Sequence, residues 1–454
     1  MMRSSLVSLL SLAPLGALAA LEANLDDPAS IRTAAQQVAQ DLIDIYYVGD
    51  QPGQIPGILP GPPPGGPYYW WEGGAMWGTL IDYWHWTGDE TFNNITFQAL
   101  QFQAGPNSDY KDKNWTASLG NDDQAFWGMA AMGAAETIFE NPPTGDPQWL
   151  ALAQGVFNDQ TSDDLRGGNC SYGLRWQADS LNNGWNYKNT ISNGCFMNIG
   201  ARLGRYTGNQ TYIDWVNKTW FWLVGVGYVQ ESNYTIFDGG YIDDNCTTPN
   251  TQQFSYNAGI LLQACAFMWN YTSDSVWEDR VNGLVAGIQR DFFKNGVAYE
   301  PGCELSATCT SDMLTYKGFI HRWMAYTALL VPSTAATIMP LLKTSTQAAV
   351  NQCVGGDNGR QCGFQWASGK FDGLLGAGQQ MDVVAALSSL LVLDSSGPVT
   401  NTTGGTSQGN PNAGGSGGSN LDLAPITAGD KAGAAIVTII VLVLATASLW
   451  FIYK

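Results

Sequence analysis

Two kinds of helical pattern alternate along the chain. In the first kind, apolar residues recur at intervals of three and four between polar ones, as from Ile31 to Ile45, which predicts an amphipathic helix on the outside of a domain. In the second kind, small and apolar residues occupy every side, which is typical of an interior helix. Segments of the second kind begin near residues 74, 122, 189, 256, 315 and 379.

Each interior pattern pairs with an amphipathic one, and runs of alternating polarity that would indicate strands are few. The repeat therefore predicts an all-α fold, an (α/α)6 barrel of six inner and six outer helices. In such a barrel the inner helices all point the same way. Their first turns, and the loops that lead into them, are expected on one face.

The two ends of the chain differ from the helical region. Residues 1–20 combine an early arginine, an apolar run and a small-residue cleavage site, which predicts a secretory signal peptide. We therefore expect a domain over residues 21–394, a Gly/Ser/Thr-rich flexible linker over 395–431 and an apolar tail over 432–454. Small residues at 418–420, a spacer and the tail match a GPI-anchor signal with attachment at Gly418. The alternative is a single transmembrane helix.

Cysteines and glycosylation sequons also fit a secretory route. The chain has eight cysteines, and an even number in a secreted protein argues for disulfides. We expect two pairs in short glycine-containing loops, Cys303 with Cys309 and Cys353 with Cys362. Asn-X-Ser/Thr glycosylation sequons lie at Asn94, Asn114, Asn169, Asn209, Asn217, Asn233, Asn245, Asn270 and Asn401.

Composition narrows the class of ligand. The formal net charge of −19 argues against binding to nucleic acid. The chain has two histidines, far apart, and we expect neither a metal site nor a cofactor. Eighteen tryptophans and nineteen tyrosines favour a sugar ligand, because the apolar C–H faces of sugars stack on aromatic rings.

The strongest candidate for chemistry is the segment Gly120-Asn121-Asp122-Asp123. It opens one of the interior helices, where a charge is costly unless it is paired or used. One aspartate can cap a helix, since Asp and Asn are preferred there. Two adjacent carboxylates are more than capping needs, so we interpret this pair as functional.

Other candidates for substrate contact lie near the starts of interior helices, and each has a structural alternative. Trp71 and Trp176 are stacking candidates, whereas Trp127 fits core packing better. Polar residues that could bind sugar or cap a helix are Asn121, Asn189, Tyr256, Asn257 and Gln380. Charged residues that could bind sugar, join an ion pair or form a loop turn are Glu72, Asp243, Asp244, Lys317 and Arg322.

Several segments resemble glycoside hydrolase family 76, a family of α-1,6-mannanases. They are Trp-Trp-Glu-Gly-Gly-Ala-Met-Trp (70–77), Asn-Asp-Asp-Gln-Ala-Phe-Trp (121–127), Gly-Leu-Arg-Trp-Gln (173–177), Lys-Asn-Thr-Ile-Ser-Asn-Gly (188–194), Phe-Ser-Tyr-Asn-Ala-Gly (254–259) and Tyr-Lys-Gly (316–318). With the predicted signal peptide and anchor, the chain looks like the fungal plasma-membrane branch of that family.

The resemblance implies an (α/α)6 barrel and retaining cleavage of α-1,6-mannosidic bonds, with Asp122 as nucleophile and Asp123 as general acid/base. Two carboxyl groups of this kind are what retaining glycosidases use. It also implies a place at the outer leaflet and cell wall, where family members attach GPI glycoproteins to glucan by transglycosylation of the GPI mannose core. The alternative is a non-catalytic, mannan-binding wall lectin or scaffold that has kept the cleft.

Overall fold

The computed structural model describes residues 20–111, 114, 118–415 and 438. All of these except Thr438 belong to one compact unit, which ends at Gly417. The predicted signal peptide, the attachment site at Gly418 and the apolar tail lie outside the described residues, apart from Ala20 and Thr438.

The described chain is mainly helical. Its helices are α1 Pro28–Tyr46, α2 Trp70–Thr87, α3 Asn93–Phe102, α4 Asn121–Glu136, α5 Trp149–Asp159, α6 Asp163–Arg166, α7 Thr190–Thr207, α8 Gln210–Gly225, α9 Ser255–Thr272, α10 Ser275–Phe292, α11 Tyr316–Leu330, α12 Ala335–Val350 and α13 Ala377–Ser389. Helices α2, α4, α7, α9, α11 and α13 each pack on the next, and α13 closes the ring on α2. Helices α1, α3, α5, α8, α10 and α12 pack outside this ring. The predicted (α/α)6 barrel is confirmed.

Short antiparallel strand pairs occur among the loops, with strands β1 Tyr187–Asn189, β2 Val229–Gln230, β3 Thr235–Ile236, β4 Gly239–Tyr241, β5 Phe293–Lys294, β6 Val297–Ala298, β7 Cys353–Gly355 and β8 Gln361–Cys362. They pair as β1 with β4, β2 with β3, β5 with β6 and β7 with β8. In the first pair, Lys188 lies opposite Gly240. The sequence pattern placed residues 187–189 at a helix start, but they pair as a strand just before α7.

Small residues let the inner helices approach closely. In α2, a Cβ atom added at Gly74 would lie 2.7 Å from the ring of Trp127 in α4, so only glycine fits against that ring. Trp127 is fully buried and stacks on Trp70 with ring centroids 5.1 Å apart. Its assignment to the core is confirmed, and the tight contact fixes α4 against α2.

The disulfides Cys303–Cys309 and Cys353–Cys362 form as predicted. A third bond, Cys170–Cys246, joins the loops before α7 and α9 and was not expected. Cys195 and Cys265 are buried and unpaired. Of the nine sequon asparagines, all are exposed except Asn217, which is half-buried in α8.

The segment after α13 differs from the sequence-based prediction. Residues 395–415 were expected to start a flexible linker, but they hydrogen-bond to the domain along their length, for example from Val399 N–H to the Glu136 carbonyl at 2.8 Å. Their many Gly, Ser and Asn residues form turns against the surface. The folded unit therefore extends beyond residue 394.

Among the residues that the structure describes, no single helix is long and apolar enough to cross a membrane. One pair, Asp312–Leu330 with Pro332–Val350, meets the criterion by length and composition but is bent by 118°.

Candidate active site

The two aspartates lie in the first turn of α4, and both carboxyl groups point over Gly120. A Cβ atom added at Gly120 would lie 2.5 Å from Asp122 Oδ1 and 3.2 Å from Asp123 Oδ2. Because both oxygens are that close to one point, they are within about 6 Å of each other, compatible with the roughly 5–5.5 Å of retaining glycosidases. The spacing therefore allows both carboxyls to act on one glycosidic bond.

The two carboxyl groups differ in their hydrogen bonds. The Gly120 N–H donates to Asp123 Oδ2 at 2.8 Å, so Asp123 also caps the helix. Asp122 Oδ1 is buried and has no hydrogen-bond partner among the described residues. The main chain of Asn121 donates to the Trp176 carbonyl at 2.7 Å, and its side-chain amide donates to two further carbonyls in the segment 175–177. Asn121 thus ties the helix start to a neighbouring loop.

Burial and mutual repulsion raise the pKa values of both aspartates. Burial, followed by the charge of Asp123, raises the pKa of Asp122 well above its ordinary value. Burial raises the pKa of Asp123 to about 7, against the lowering effect of the Gly120 N–H. Like charges so close resist double ionisation, so the pair holds a shared proton near neutral pH.

Two further carboxyls belong to this site. Asp312, just before α11, accepts a hydrogen bond from Trp71 Nε1 at 2.9 Å. Glu72 Oε2 accepts from the Tyr69 N–H at 2.6 Å, and its other oxygen is buried without a partner in the described chain. Burial, then the charge of Asp312, raises the pKa of Glu72, and Asp312 also raises that of Asp123. The four carboxyls form one electrostatic group.

Aromatic rings border the carboxyls. Trp71 packs against Phe126 with centroids 4.8 Å apart and, through its bond to Asp312, lies beside the acidic group. Tyr256 stacks on Tyr316 at 3.9 Å and 11°. The charge of Asp122 contributes to the raised pKa of Tyr256, after burial, Tyr316 and Asp238. Trp71 and Tyr256 therefore lie near the acidic group, and their contact with substrate stays a prediction.

Trp176 presents an exposed ring beside the start of α4. Its side chain is 36% exposed, and its carbonyl accepts the hydrogen bond from Asn121 that opens α4. An exposed indole next to the helix start is a suitable surface for the C–H face of a sugar. This placement agrees with its prediction as a stacking platform.

Three predicted polar contacts make hydrogen bonds within the fold. Asn189 caps α7, accepting from the Ser192 N–H at 3.2 Å. Asn257 is fully buried and donates to Asp238 Oδ1 at 3.2 Å. Gln380 is also fully buried and bonds the main chain of β8 and α1. The capping alternative is confirmed for Asn189, and both amide atoms of Gln380 are hydrogen-bonded. Asn257 Oδ1, in contrast, is buried without a partner among the described residues, and its contact with substrate stays a prediction.

The two predicted basic contacts are ion-paired. Lys317 is fully buried, with Nζ 2.8 Å from Glu304 Oε2. Arg322 Nε donates to Asp82 Oδ2 at 2.6 Å and lines a small cavity inside the barrel. The sequence left open a buried ion pair among Glu72, Lys317 and Arg322. Both cations are ion-paired, as a buried cation requires, but their partners are Glu304 and Asp82 and not Glu72.

Asp243 and Asp244 lie exposed in a turn after β4. Asp243 accepts a hydrogen bond from the side chain of Asn186 at 2.9 Å. Within the described chain, no contact joins either residue to Asp122 or Asp123. The structure does not bring this second acidic pair to the site.

Sequence reasoning missed Asp312, Asp238 and the requirement for Gly120. Asp312 lies in the short turn directly before α11, whereas Asp238 lies in the loop between β3 and β4, far ahead of α9. Each is recognised only by its hydrogen-bond partner in the folded chain. Asp312 accepts from Trp71, and Asp238 accepts from the Tyr187 hydroxyl at 2.7 Å.

A double ring of helices with paired carboxyls and aromatic walls at the inner-helix starts defines a carbohydrate-cleaving enzyme, a glycoside hydrolase. The model of glycosyl hydrolase family 76 matches residues 30–402. The chain belongs to this family.

Relatives and solved structures agree with this family assignment. The chain is 42% identical over 440 residues to the mannan endo-1,6-alpha-mannosidase DCW1 of Saccharomyces cerevisiae, covering 96% of both chains. It is similar to the crystal structure of Dfg5 from Chaetomium thermophilum in complex with glucosamine, with 53% identity, a TM-score of 0.84 and coverage of 86% and 97% of the two chains. An inactive variant of the alpha-1,6-mannanase of Salegentibacter sp. HEL1_6, in complex with alpha-1,6-mannotriose, shares the fold at 17% identity, with a TM-score of 0.64 and coverage of 80% and 99%.

Proposed function

We propose that the protein is a retaining endo-1,6-α-mannosidase that acts through Asp122 and Asp123. The observation that carries the proposal is the convergence of both carboxyls over Gly120. The substrate class follows the printed names of the relatives, mannan endo-1,6-alpha-mannosidases over nearly the whole chain. No metal or cofactor is needed for this chemistry.

In the first step, an Asp122 carboxylate oxygen attacks the anomeric carbon while the glycosidic C–O bond breaks. Asp123 gives its proton to the departing sugar oxygen, leaving a mannosyl ester on Asp122. In the second step, Asp123 takes a proton from an incoming hydroxyl, whose oxygen attacks the same carbon and releases Asp122. Water gives hydrolysis, and a sugar hydroxyl gives transfer.

The mechanism needs Asp122 ionised and Asp123 protonated when substrate is bound. Burial raises the pKa of Asp123 to about 7, which suits a group that must give up and take back a proton near neutral pH.

We propose transfer, rather than hydrolysis, as the physiological outcome. The GPI mannose core would be the donor, and cell-wall glucan the acceptor. The support is the family membership together with the anchor signal at the end of the sequence. The protein would then act at the outer leaflet of the plasma membrane and in the cell wall.

The test incubates the full chain, solubilised in detergent, with α-1,6-mannooligosaccharides and a glucan acceptor, and follows products by mass spectrometry. Mannose linked to the acceptor, lost in both Asp122→Asn and Asp123→Asn, is expected. Shorter free oligosaccharides alone would make the protein a hydrolase.

The competing function is a non-catalytic mannan-binding lectin, which the exposed Trp176 would also serve. Binding of mannooligosaccharides without turnover by the wild-type chain would favour it. Loss of that binding in Trp176→Ala would then locate the lectin site.

A further inference from the structure

Antiparallel pairings connect the start of the catalytic helix to strand β4. Gly120, directly before α4, lies opposite Gln177 in an antiparallel bridge. The segment that contains Gln177 also pairs with β1, since Arg175 lies opposite Lys188. β1 pairs in turn with β4. Four short segments thus form a continuous connection from the catalytic pair out to β4.

Three aromatic rings follow this connection. Trp176 meets Tyr187 edge-on, with ring centroids 6.4 Å apart and an interplanar angle of 80°. Tyr187 lies opposite Tyr241 in the β1–β4 pair, and their ring centroids are 4.8 Å apart, a contact typical of cross-strand aromatic pairs. We call Trp176, Tyr187 and Tyr241 the aromatic row. Its two outer ring centroids are at most about 11 Å apart.

The middle ring of the row is fixed to the wall of the catalytic site. The Tyr187 hydroxyl donates to Asp238 Oδ2 at 2.7 Å and accepts from Asn250 Nδ2 at 3.2 Å. The other oxygen of Asp238 accepts from Asn257 Nδ2 at 3.2 Å. Asn257 follows Tyr256 in the first turn of α9. Hydrogen bonds therefore hold the ring of Tyr187 in one orientation relative to the site.

The outer end of the row is also held in place. The Cys170–Cys246 disulfide closes the loop after β4, and the Cys246 N–H donates to the Tyr241 carbonyl at 2.9 Å. The side chain of Asp243 accepts from Asn186 Nδ2 at 2.9 Å, which joins that loop to the residue before β1. An exposed ring on such a fixed main chain loses little conformational freedom when a ligand binds it.

The exposed parts of the row suit a sugar chain. Tyr241 is 54% exposed and Trp176 is 36% exposed, whereas Tyr187 is buried between them. Open ring faces bordered by amide and carboxylate groups are the combination that neutral sugars bind. Exposure alone is not sufficient: Tyr172 is also exposed, but Lys218 Nζ lies 3.5 Å from the centre of its ring.

We propose that the aromatic row is a distal subsite, which binds the mannoside chain beyond the unit held at Asp122 and Asp123. The inference rests on the proposed endo-1,6-α-mannosidase function. The row is continuous with the catalytic helix, because the Trp176 carbonyl accepts from the Asn121 N–H at 2.7 Å. A long chain contacts both Trp176 and Tyr241, whereas a short one stops at Trp176. The enzyme therefore prefers long chains.

The test measures the Kd of α-1,6-mannooligosaccharides of increasing length by isothermal titration calorimetry. It uses the full chain in detergent, with Asp122→Asn added so that the ligand is not consumed. In that background, Tyr241→Ala should weaken binding of the longest chains about threefold to tenfold. The loss should disappear with the shortest chains, which do not reach Tyr241.

Two variants serve as controls. Tyr241→Phe keeps the ring and should recover the affinity for long chains. Tyr271→Ala removes an exposed tyrosine near the end of α9, on the face opposite the active site, and should bind every chain like its parent. Equal thermal midpoints of unfolding would show that Tyr241→Ala leaves the fold intact.

Other results overturn the proposal. No loss in Tyr241→Ala, an equal loss for short and long chains, or a loss in Tyr241→Phe as large as in Tyr241→Ala would each remove the distal subsite. A loss seen with a glucan oligosaccharide but not with mannooligosaccharides would assign the row to the acceptor instead.

Cleavage assays separate this proposal from the proposed function. A wild-type chain that cleaves mannooligosaccharides, with the same length preference in Tyr241→Ala, would refute the distal subsite alone. A wild-type chain that binds mannooligosaccharides in the predicted length-dependent way and never cleaves them would refute the proposed function alone. A chain that neither binds nor cleaves them would refute both.

Discussion

Replacing Gly120 by alanine should damage catalysis while leaving the fold intact. The backbone at Gly120 has φ −80° and ψ 152°, a conformation open to any residue. The added methyl group would, however, lie 2.5 Å from Asp122 Oδ1 and 3.2 Å from the carboxyl of Asp123. The clash therefore falls on the catalytic pair and not on the main chain.

The size of the effect follows from that distance. A comfortable carbon–oxygen contact is about 3.5 Å, so Asp122 Oδ1 must move by about 1 Å. A displacement of about 1 Å at a reacting group can cost roughly 100-fold in rate, equivalent to about 2.7 kcal/mol of activation free energy. The loss of folding free energy for alanine at this helix start should stay below about 1 kcal/mol.

The assay compares kcat/KM on α-1,6-mannooligosaccharides with the thermal midpoint of unfolding. Gly225→Ala is the matched control, because a Cβ atom there meets no atom within 4 Å. Full activity in Gly120→Ala would refute the argument that the carboxyls converge over this residue. A collapse of Tm in step with activity would show that the glycine serves folding instead.

Three further outcomes are expected. The pKa of Asp123 is raised from 3.8 to about 7, so the protonated side chain contributes its full stability below pH 3.8, and that stability is lost as the pH rises through 7. Asp123→Asn stays neutral at every pH and should therefore raise Tm at pH 8 but not at pH 4. Differential scanning fluorimetry measures both values. Lys317→Met leaves Glu304 buried and unpaired and should cost roughly 3–5 kcal/mol in denaturant unfolding; a loss under 1 kcal/mol would contradict the ion pair. Trp176→Ala should raise KM several-fold at unchanged Tm, and unchanged KM would remove it from the sugar-binding surface.

The barrel was predictable because interior and amphipathic helices alternate, and each kind has its own local pattern of apolar residues. Small residues on every side of a helix, as at the start of α4, can only be buried, and six such segments close into one ring. The site was predictable to the extent that it lies at those helix starts. Asp122 and Asp123 were found as an adjacent carboxylate pair at such a start. Position alone does not separate substrate contacts from structural residues, since Asn189, Asn257 and Gln380 lie at similar positions.

The residue roles that the sequence did not predict depend on contacts with residues far away in the chain. Asp312 joins the site through the indole of Trp71, 241 residues earlier. Whether Lys317 meets substrate or an ion pair is decided by Glu304, on a separate disulfide-closed loop. Residues 395–415 resemble a linker by composition, because Gly, Ser and Asn also suit a segment held against the domain by main-chain hydrogen bonds.

The most direct test of the central claim is covalent labelling by a mannose-configured, mechanism-based inhibitor, followed by mass spectrometry of peptides. We predict one label on the peptide that contains Asp122, on Asp122 itself, and none on Asp122→Asn. Labelling of Asp123 or Asp312 in its place, or a chain that turns over mannooligosaccharides without ever taking up label, would contradict it.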